Sequence, residues 1–386
     1  VTDTQAESAP QETPDDAPDA GVPADAEYWL ALTRLPGVGR TTFFRLLHAY
    51  QSPRAAWAVS DAEWRDAKLV RTNIETAGHR KTALAWAVDQ VRKLAKSPWI
   101  MSTYGDDRYP AALSSLRDPP PYLFMRGRVP AMPAIAVVGS RQSTPYGLNV
   151  TEQIVSELAA HGVVIVSGFA RGIDTAAHKA ALGIQGATVA VWGCGPDVVY
   201  PRENSGLISH ILERGAIMTE FPFGAAPERQ NFPVRNRLIA GLSAGVLVVQ
   251  AQSRSGALLT AQHAVEQGKD VYGIPGEIGR PHAEGVNELI KAGAKIVTSA
   301  SDILIDLGIR TRTGQPERRM EQPLTLPPLS PLEERVCAGL GGSPCHLDRL
   351  AVSLGVSAAE CAAVLVSLQL KGVVRQEPGN MFSRLI

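Results

Sequence analysis

Three short stretches hold the residues best able to do chemistry. They are Val137–Arg141 (VVGSR), Ser167–Ala181 (SGFARGIDTAAHKAA) and Phe232–Ser243 (FPVRNRLIAGLS). Each sets glycine or a hydroxyl beside a cation where an apolar run ends. Glycine lets a ligand approach the backbone closely, and arginine forks onto a phosphate or carboxylate. In the first stretch the actors are Gly139, Ser140 and Arg141. They lack the spacing of a dinucleotide fingerprint and the GK[ST] of a Walker loop. A plain strand-to-helix turn is therefore an open reading of them. In the second, Gly168 and Arg171 precede a helix whose free N–H groups favour an anion. Lys179 lies further along it as a candidate anion contact. Asp174 and His178 share one helix face, but no nucleophile accompanies them, so they read as braces. In the third, Arg235 and Arg237 flank Asn236 at a helix start. If Arg235 faces a pocket, Arg237 points elsewhere and pairs with an acid. Phe232 reads either as a stacking surface for a base, a mode suited to single strands, or as core.

Other strand ends carry the same kind of residue. Ser253-Arg254-Ser255-Gly256 follows VLVVQA and opens a helix, with Ser255 or Gly256 at its cap. Gly193-Cys194-Gly195 ends another strand, and Cys194 reads as a buried spacer. Pro275-Gly276-Glu277 and Gly285-Val286-Asn287 follow. Small or polar groups thus converge on one rim, which argues for a ligand site more than any single motif does. No catalytic residue, metal cluster or cofactor site is expected. The chemistry is that of a holder of polyanions.

The elements that must position these residues alternate. Strands are predicted at Ala134–Gly139, Val163–Ser167, Thr188–Trp192, Val246–Gln250 and Val271–Ile274, with shorter ones near Ala216–Met218 and Ile296–Val297. Helices are predicted at Gly147–Ala160, Ile173–Leu182, Asn204–Glu213, Arg235–Ala240, Ala257–Glu266 and Val286–Lys291. Apolar strands separated by helices describe an α/β fold with a parallel sheet covered on both faces. Ligands bind such sheets at the carboxyl ends of the strands.

The rest of the chain divides by composition. Residues 1–27 hold eight acids and no Lys or Arg, so the remainder carries a formal +8 within a chain of net charge zero. Residues 1–25 read as a disordered acidic head. Residues 26–97 read as a small all-helical domain. Its Leu35–Gly39 turn (LPGVG) is similar to a helix-hairpin-helix, with Thr41 as the cap of the second helix. Such a turn either points N–H groups at DNA or simply joins two helices. Residues 98–308 form the α/β domain, whose first part, to residue 133, reads as an approach segment packed on the sheet. A linker is expected over 309–330. Residues 331–386 give three helices, a strand, a turn and a strand, the outline of a winged helix. Its third helix has Lys371 as its one base, so it reads as packing on protein rather than reading DNA. Cys194, Cys337, Cys345 and Cys361 have no metal-ligand or disulfide spacing. With no apolar run of spanning length and no leader pattern, a cytoplasmic protein without membrane contact is expected.

Taken together, the motifs resemble the DprA/Smf family of DNA-processing proteins. They are GSR at Gly139–Arg141, SGFARGIDTAAHKAAL at Ser167–Leu182, AVWGCGPDVVYPRENSGL at Ala190–Leu207 and TEFPFG at Thr219–Gly224. FPVRNRLIAGLS at Phe232–Ser243, SRSGALLTAQHAVEQGKDVYGIPG at Ser253–Gly276 and EGVNELIKAGA at Glu284–Ala294 complete the run. The resemblance implies an extended Rossmann-like domain behind a SAM-like helical domain. It also implies single-stranded DNA as ligand, a homodimer through the Rossmann-like domain, and loading of the RecA recombinase during natural transformation. By motif it makes Arg141, Arg171 and Lys179 phosphate contacts, and Phe232, Asn236 and Arg235 pocket lining. One departure is Gln250-Ala251, where the family often carries a glutamate. Two rival readings stay open. One is a phosphoribohydrolase-like nucleotide enzyme, although its PGGxGT…E arrangement is not reproduced. The other is a transcription regulator with a DNA-reading tail.

Overall fold

The computed structural model describes residues 21–71, 76–309, 329–340, 344–377 and 379–384. The acidic head (1–20) and most of the expected linker (310–328) lie outside the described residues. The chain forms two compact units, Val1–Ile309 and Arg310–Ile386.

In the first unit five helices come first: α1 (Ala26–Arg34), α2 (Arg40–Tyr50), α3 (Pro53–Ala58), α4 (Asp61–Asp66) and α5 (Ala77–Ala95). Ser52 and Ser60 cap α3 and α4 by accepting from N–H groups three residues on. Thr41 does not cap α2. The helix already begins at Arg40, with Gly39 at the cap position and no side-chain acceptor. The elements β1 (Ile100–Thr103), α6 (Ala111–Ser114) and β2 (Tyr122–Gly127) follow. Then come β3 (Ala134–Val138), α7 (Pro145–Ala160), β4 (Val164–Ser167), α8 (Ile173–Gly183), β5 (Thr188–Val191), α9 (Leu207–Arg214) and β6 (Ala216–Thr219). The unit ends with α10 (Asn231–Gly241), β7 (Gly245–Val248), α11 (Gly256–Glu266), β8 (Asp270–Gly273), α12 (Pro281–Lys291), β9 (Lys295–Ile296) and α13 (Ala300–Asp306).

These strands make one sheet in the order β1-β2-β6-β5-β4-β3-β7-β8-β9. From β6 to β9 every pairing is parallel, while β1–β2 and β2–β6 are antiparallel. The approach segment is thus the edge of the sheet itself. Alternation along the strands splits the core in two. Ala136 and Val138 face α10, α11 and α12, and Ile135 and Val137 face α7, α8 and α13. The front helices share a third core with the sheet, in which Trp29, Phe43 and Trp64 join Trp99, Phe124 and Trp192. Trp99 and Trp192 meet edge to face at 5.5 Å.

The second unit contains α14 (Pro331–Gly339), β10 (Cys345–His346), α15 (Leu347–Leu354), α16 (Ala358–Leu370), β11 (Val374–Glu377) and β12 (Met381–Arg384), with strand order β10-β12-β11. Capping boxes start α14 at Ser330/Glu333 and α16 at Ser357/Glu360. Lys371, just past α16, donates to both oxygens of Glu333 at 2.8 Å. The charges of the expected recognition helix therefore serve its own fold. No single helix among the described residues is long and apolar enough to cross a membrane.

Two buried groups set opposite acid limits for the two units. His178 of α8 is fully buried, its Nδ1 2.7 Å from Thr188 Oγ1. Thr188 donates its own proton to the Ile165 carbonyl, so Nδ1 carries the imidazole proton. Nε2 is left buried without a partner. A second proton would be a desolvated charge near Arg235, and burial brings the pKa from 6.5 to about 3. The stability this gives is complete above pH 6.5 and is lost as pH falls toward 3. In the second unit Lys371, the Ser330 N–H and Ser367 hold Glu333 down from 4.5 to about 2. That contribution is complete above pH 4.5 and is lost as pH falls toward 2. Hydrogen exchange of the full chain across pH should show the first unit loosening before the second. His178→Gln should flatten the first slope and Glu333→Gln the second. An unchanged slope in either variant would refute that assignment.

Candidate nucleic-acid interface

The sheet order fixes where a ligand site can form. From β3 the chain adds β4, β5 and β6 on one side, then returns to add β7, β8 and β9 on the other. The connections after β3 and β7 therefore diverge, leaving a crevice outside their carboxyl ends. A groove of about 870 Å³ occupies that crevice. One wall is Gly139–Gln142, after β3. The opposite wall is Gln252–Thr260, after β7 and into α11. The first turn of α10 closes one end with Phe232 and Pro233.

Local chemistry shapes each wall. Ser140 turns its hydroxyl inward, donating to the Gln142 carbonyl (3.0 Å) and accepting from the Gln142 N–H (3.1 Å). That leaves Arg141 exposed at the turn, its guanidinium 4.7 Å from the centre of the Phe232 ring. Tyr200 stands 5.9 Å from Phe232 on another side. Gly193 lies under the ring, where a Cβ would come within 2.9 Å. Ser255 caps α11 by accepting from Ala257 N–H (3.3 Å), and Asn236 ties α10 to α11 by donating to the Gly256 carbonyl (3.2 Å). Two helix N-termini thus face the groove, a favourable setting for an anion.

Arg235 behaves differently from the other arginines. It is 3 % exposed, and Nη1 donates to the carbonyls of Gly168 (2.6 Å) and Val191. Burial pushes it down to about 10, while the Asp174 carboxylate opposes that shift. It stays charged at neutral pH but is a structural clamp beneath the groove rather than a phosphate contact. Burial raises Asp174, opposed by Arg235 and by the Ala170 N–H that it accepts at 3.2 Å. His178 bonds to Thr188 and not to Asp174, so the pair is no acid–base couple. Cys194 is buried, donates to the Val198 carbonyl at 3.0 Å, and its thiol is pushed up to about 11. Arg237 points away from the groove and pairs with Glu220.

The groove brings together Gly139, Ser140, Arg141, Phe232, Arg235, Asn236, Ser255 and Gly256. Gly168 lies under it. Two expected phosphate contacts fall outside its lining. Arg171 is exposed but forks onto Glu203, at 2.6 Å and 3.1 Å. Lys179 is exposed in the second turn of α8, about 9 Å along the axis from the helix start by the usual rise. In their place the groove gains Arg229, Arg254 and Tyr200. Arg254 was visible between two serines. Arg229 sits in a loop without periodicity, and Tyr200 beside a proline, so neither gave a signal. Arg141, Arg229 and Arg254 are exposed and form no ion pair among the described residues. No cluster of metal-ligating side chains occurs among them.

Gly168 is a required glycine. A Cβ there would lie 2.5 Å from Arg235 Nη1 and 2.6 Å from Asp174 Oδ2. Gly168→Ala should destabilise the protein by about 1–3 kcal/mol, the usual cost of overpacking. Gly256, with open space around it, should accept alanine within about 0.5 kcal/mol. Urea unfolding of the two variants checks the contrast.

The family model described as DNA recombination-mediator protein A matches residues 100–308, and that described as DprA winged helix domain matches 320–380. The chain is 33 % identical to Protein Smf of Synechocystis, over 94 % of this chain and 99 % of that one. It is 41 % identical to Protein Smf of Escherichia coli, over 70 % and 74 %. The X-ray structure of DNA processing protein A from Streptococcus pneumoniae superposes with a TM-score of 0.60 at 34 % identity, covering 72 % of this chain and 96 % of that one. A groove at the same strand ends as the shared motifs, together with these matches along nearly the whole length, places the chain in the DprA/Smf family of DNA-processing proteins.

Proposed function

We propose that this protein binds single-stranded DNA in the groove between β3 and β7, as a non-enzymatic DNA-processing factor. The observation that carries the reading is the set of three exposed, unpaired arginines, Arg141, Arg229 and Arg254, around an aromatic pair. Phosphates lie on these guanidinium groups and on the N-termini of α10 and α11. Bases stack on Phe232 and Tyr200, a mode that needs no particular sequence. The depth of the groove and its aromatic wall suit unpaired bases better than a duplex. Arg171 reaches a phosphate only by exchanging Glu203 for it.

Family membership supports the wider role: protecting an incoming strand and handing it to the RecA recombinase in transformation and recombination. On this reading the protein works as a homodimer through its Rossmann-like sheet domain, in the cytoplasm. Two linked grooves would then hold one strand with avidity. The second unit, a winged helix by its outline, contacts protein rather than bases.

Fluorescence anisotropy of labelled single strands and duplexes over a salt series tests the groove. Three phosphate contacts predict a slope of log K against log salt of about −2 for a single strand. Arg141→Ala and Arg254→Ala should each weaken binding several-fold and reduce that slope. Arg171→Ala and Lys179→Ala should do less. A preference for duplex, or binding indifferent to Arg141 and Arg254, would sink the reading.

A further inference from the structure

A second concave surface lies on the far side of α10 from the groove. Arg235 and Arg237 are two positions apart, about 200° around a helix. Arg235 faces the groove, while Arg237 donates to the Asp118 carbonyl at 2.8 Å. Asp118 lines a pocket of about 540 Å³ between α2 and the segment after α6. The Phe44 and Tyr104 rings meet edge to face there at 4.8 Å. Arg40, Arg45 and Arg117 supply its charge. Arg40 is held by Asp118 at 2.7 Å. Arg45 and Arg117 are exposed and enter no ion pair among the described residues.

A cleft of about 590 Å³ connects this pocket toward the groove. It shares Arg40, Thr41 and Asp118 with the pocket, and its far end reaches Val234. Val234 is exposed and sits between Pro233 and Arg235, both of which line the groove. Trp86 lies along the cleft with Arg34 stacked at 5.2 Å. One track of alternating cations and rings therefore passes over the first turn of α10. Two unpaired guanidinium groups beside an aromatic edge match neither an apolar ligand nor a bare cation. They match the phosphate and base of a nucleotide.

We infer that the Arg45–Arg117 pocket is a second subsite for single-stranded nucleic acid, reached by a strand that leaves the groove across Val234. The inference rests on the groove reading and extends it to the helical front region. Phosphates lie on Arg45 and Arg117, and a base lies against Phe44 and Tyr104. The turn Leu35–Gly39 then contributes by placing α2, with Arg40 tied to Asp118, rather than by offering its own N–H groups to DNA.

The test compares oligothymidylates of about 6 and about 20 nucleotides, short and long against the usual spread of single-strand site sizes. The double variant Arg45→Ala/Arg117→Ala should bind the short strand like the wild type. It should bind the long strand on the order of 10-fold more weakly at low salt, with the salt slope falling from about −3.5 to about −2. Both side chains are exposed, so the fold should survive. The Arg45→Lys/Arg117→Lys variant should restore most of the slope, which a purely structural role would not predict. Long-strand affinity and slope equal to wild type in the alanine variant would overturn the second subsite. Short-strand binding untouched by Arg141→Ala and Arg254→Ala would instead overturn the groove, so the two failures are distinguishable.

Discussion

The buried guanidinium of Arg235 is the constraint on which the site depends. It reaches from α10 under the groove and holds the carbonyls of Gly168 and Val191, at the ends of β4 and β5. Those carbonyls have left their ladders and would be costly to bury unsatisfied. The same clamp fixes the first turn of α10, and so the place of Phe232. Its charge is tolerable because Asp174 lies near and two carbonyl dipoles point at it. It also explains the missing side chain at Gly168, since the guanidinium occupies that space. A lysine would offer a point charge in place of a planar fork and could not reproduce this geometry.

The arginines divide into two kinds. Arg235, Arg237 and Arg40 are neutralised inside the molecule, by carbonyls or by Asp118 and Glu220. They tie α10, the segment after α6 and α2 into one body. Arg141, Arg229 and Arg254 keep their charge for solvent or ligand. Net charge alone hides this, because eight acids of the first 27 residues cancel the +8 of the rest. Anion binding depends on local, unpaired charge on a concave surface, which is where field lines concentrate.

Much of this was legible in the sequence because apolar runs bounded by glycine mark strands strongly. Every predicted strand and helix of the parallel region appears within a few residues. The start of α10 was placed late, at Arg235 instead of Asn231. Pro233 reads as a breaker, yet within a first turn its missing N–H would be unbonded anyway. The antiparallel edge, β1 and β2, was not legible because prolines obscured the alternation of YLFMRG. Arg171 looked like an anion contact because sequence cannot show Glu203, 32 residues on, folding back to it. Lys179 looked close because a helix rise is invisible in a motif. Arg229 and Tyr200 gave nothing, since loop residues become neighbours only through the strands that carry them.

Gln250 illustrates how a departure from a family pattern can be read physically. It is 7 % exposed. Its Oε1 accepts from the Thr144 N–H at 3.0 Å, and its Nε2 donates to Thr144 Oγ1 at 2.7 Å. The backbone N–H can only donate, so the orientation of the amide follows from its partners. This brace holds the end of the loop that carries Arg141, and Thr144 in turn caps α7. A glutamate, as the family often has after this strand, could accept both contacts. It would, however, bury a negative charge close to the wall that presents Arg141, at a desolvation cost. The neutral amide fixes the same loop without lowering the positive potential of the groove. Loop rigidity and groove charge are thereby set by different residues, Gln250 for the first and the unpaired arginines for the second.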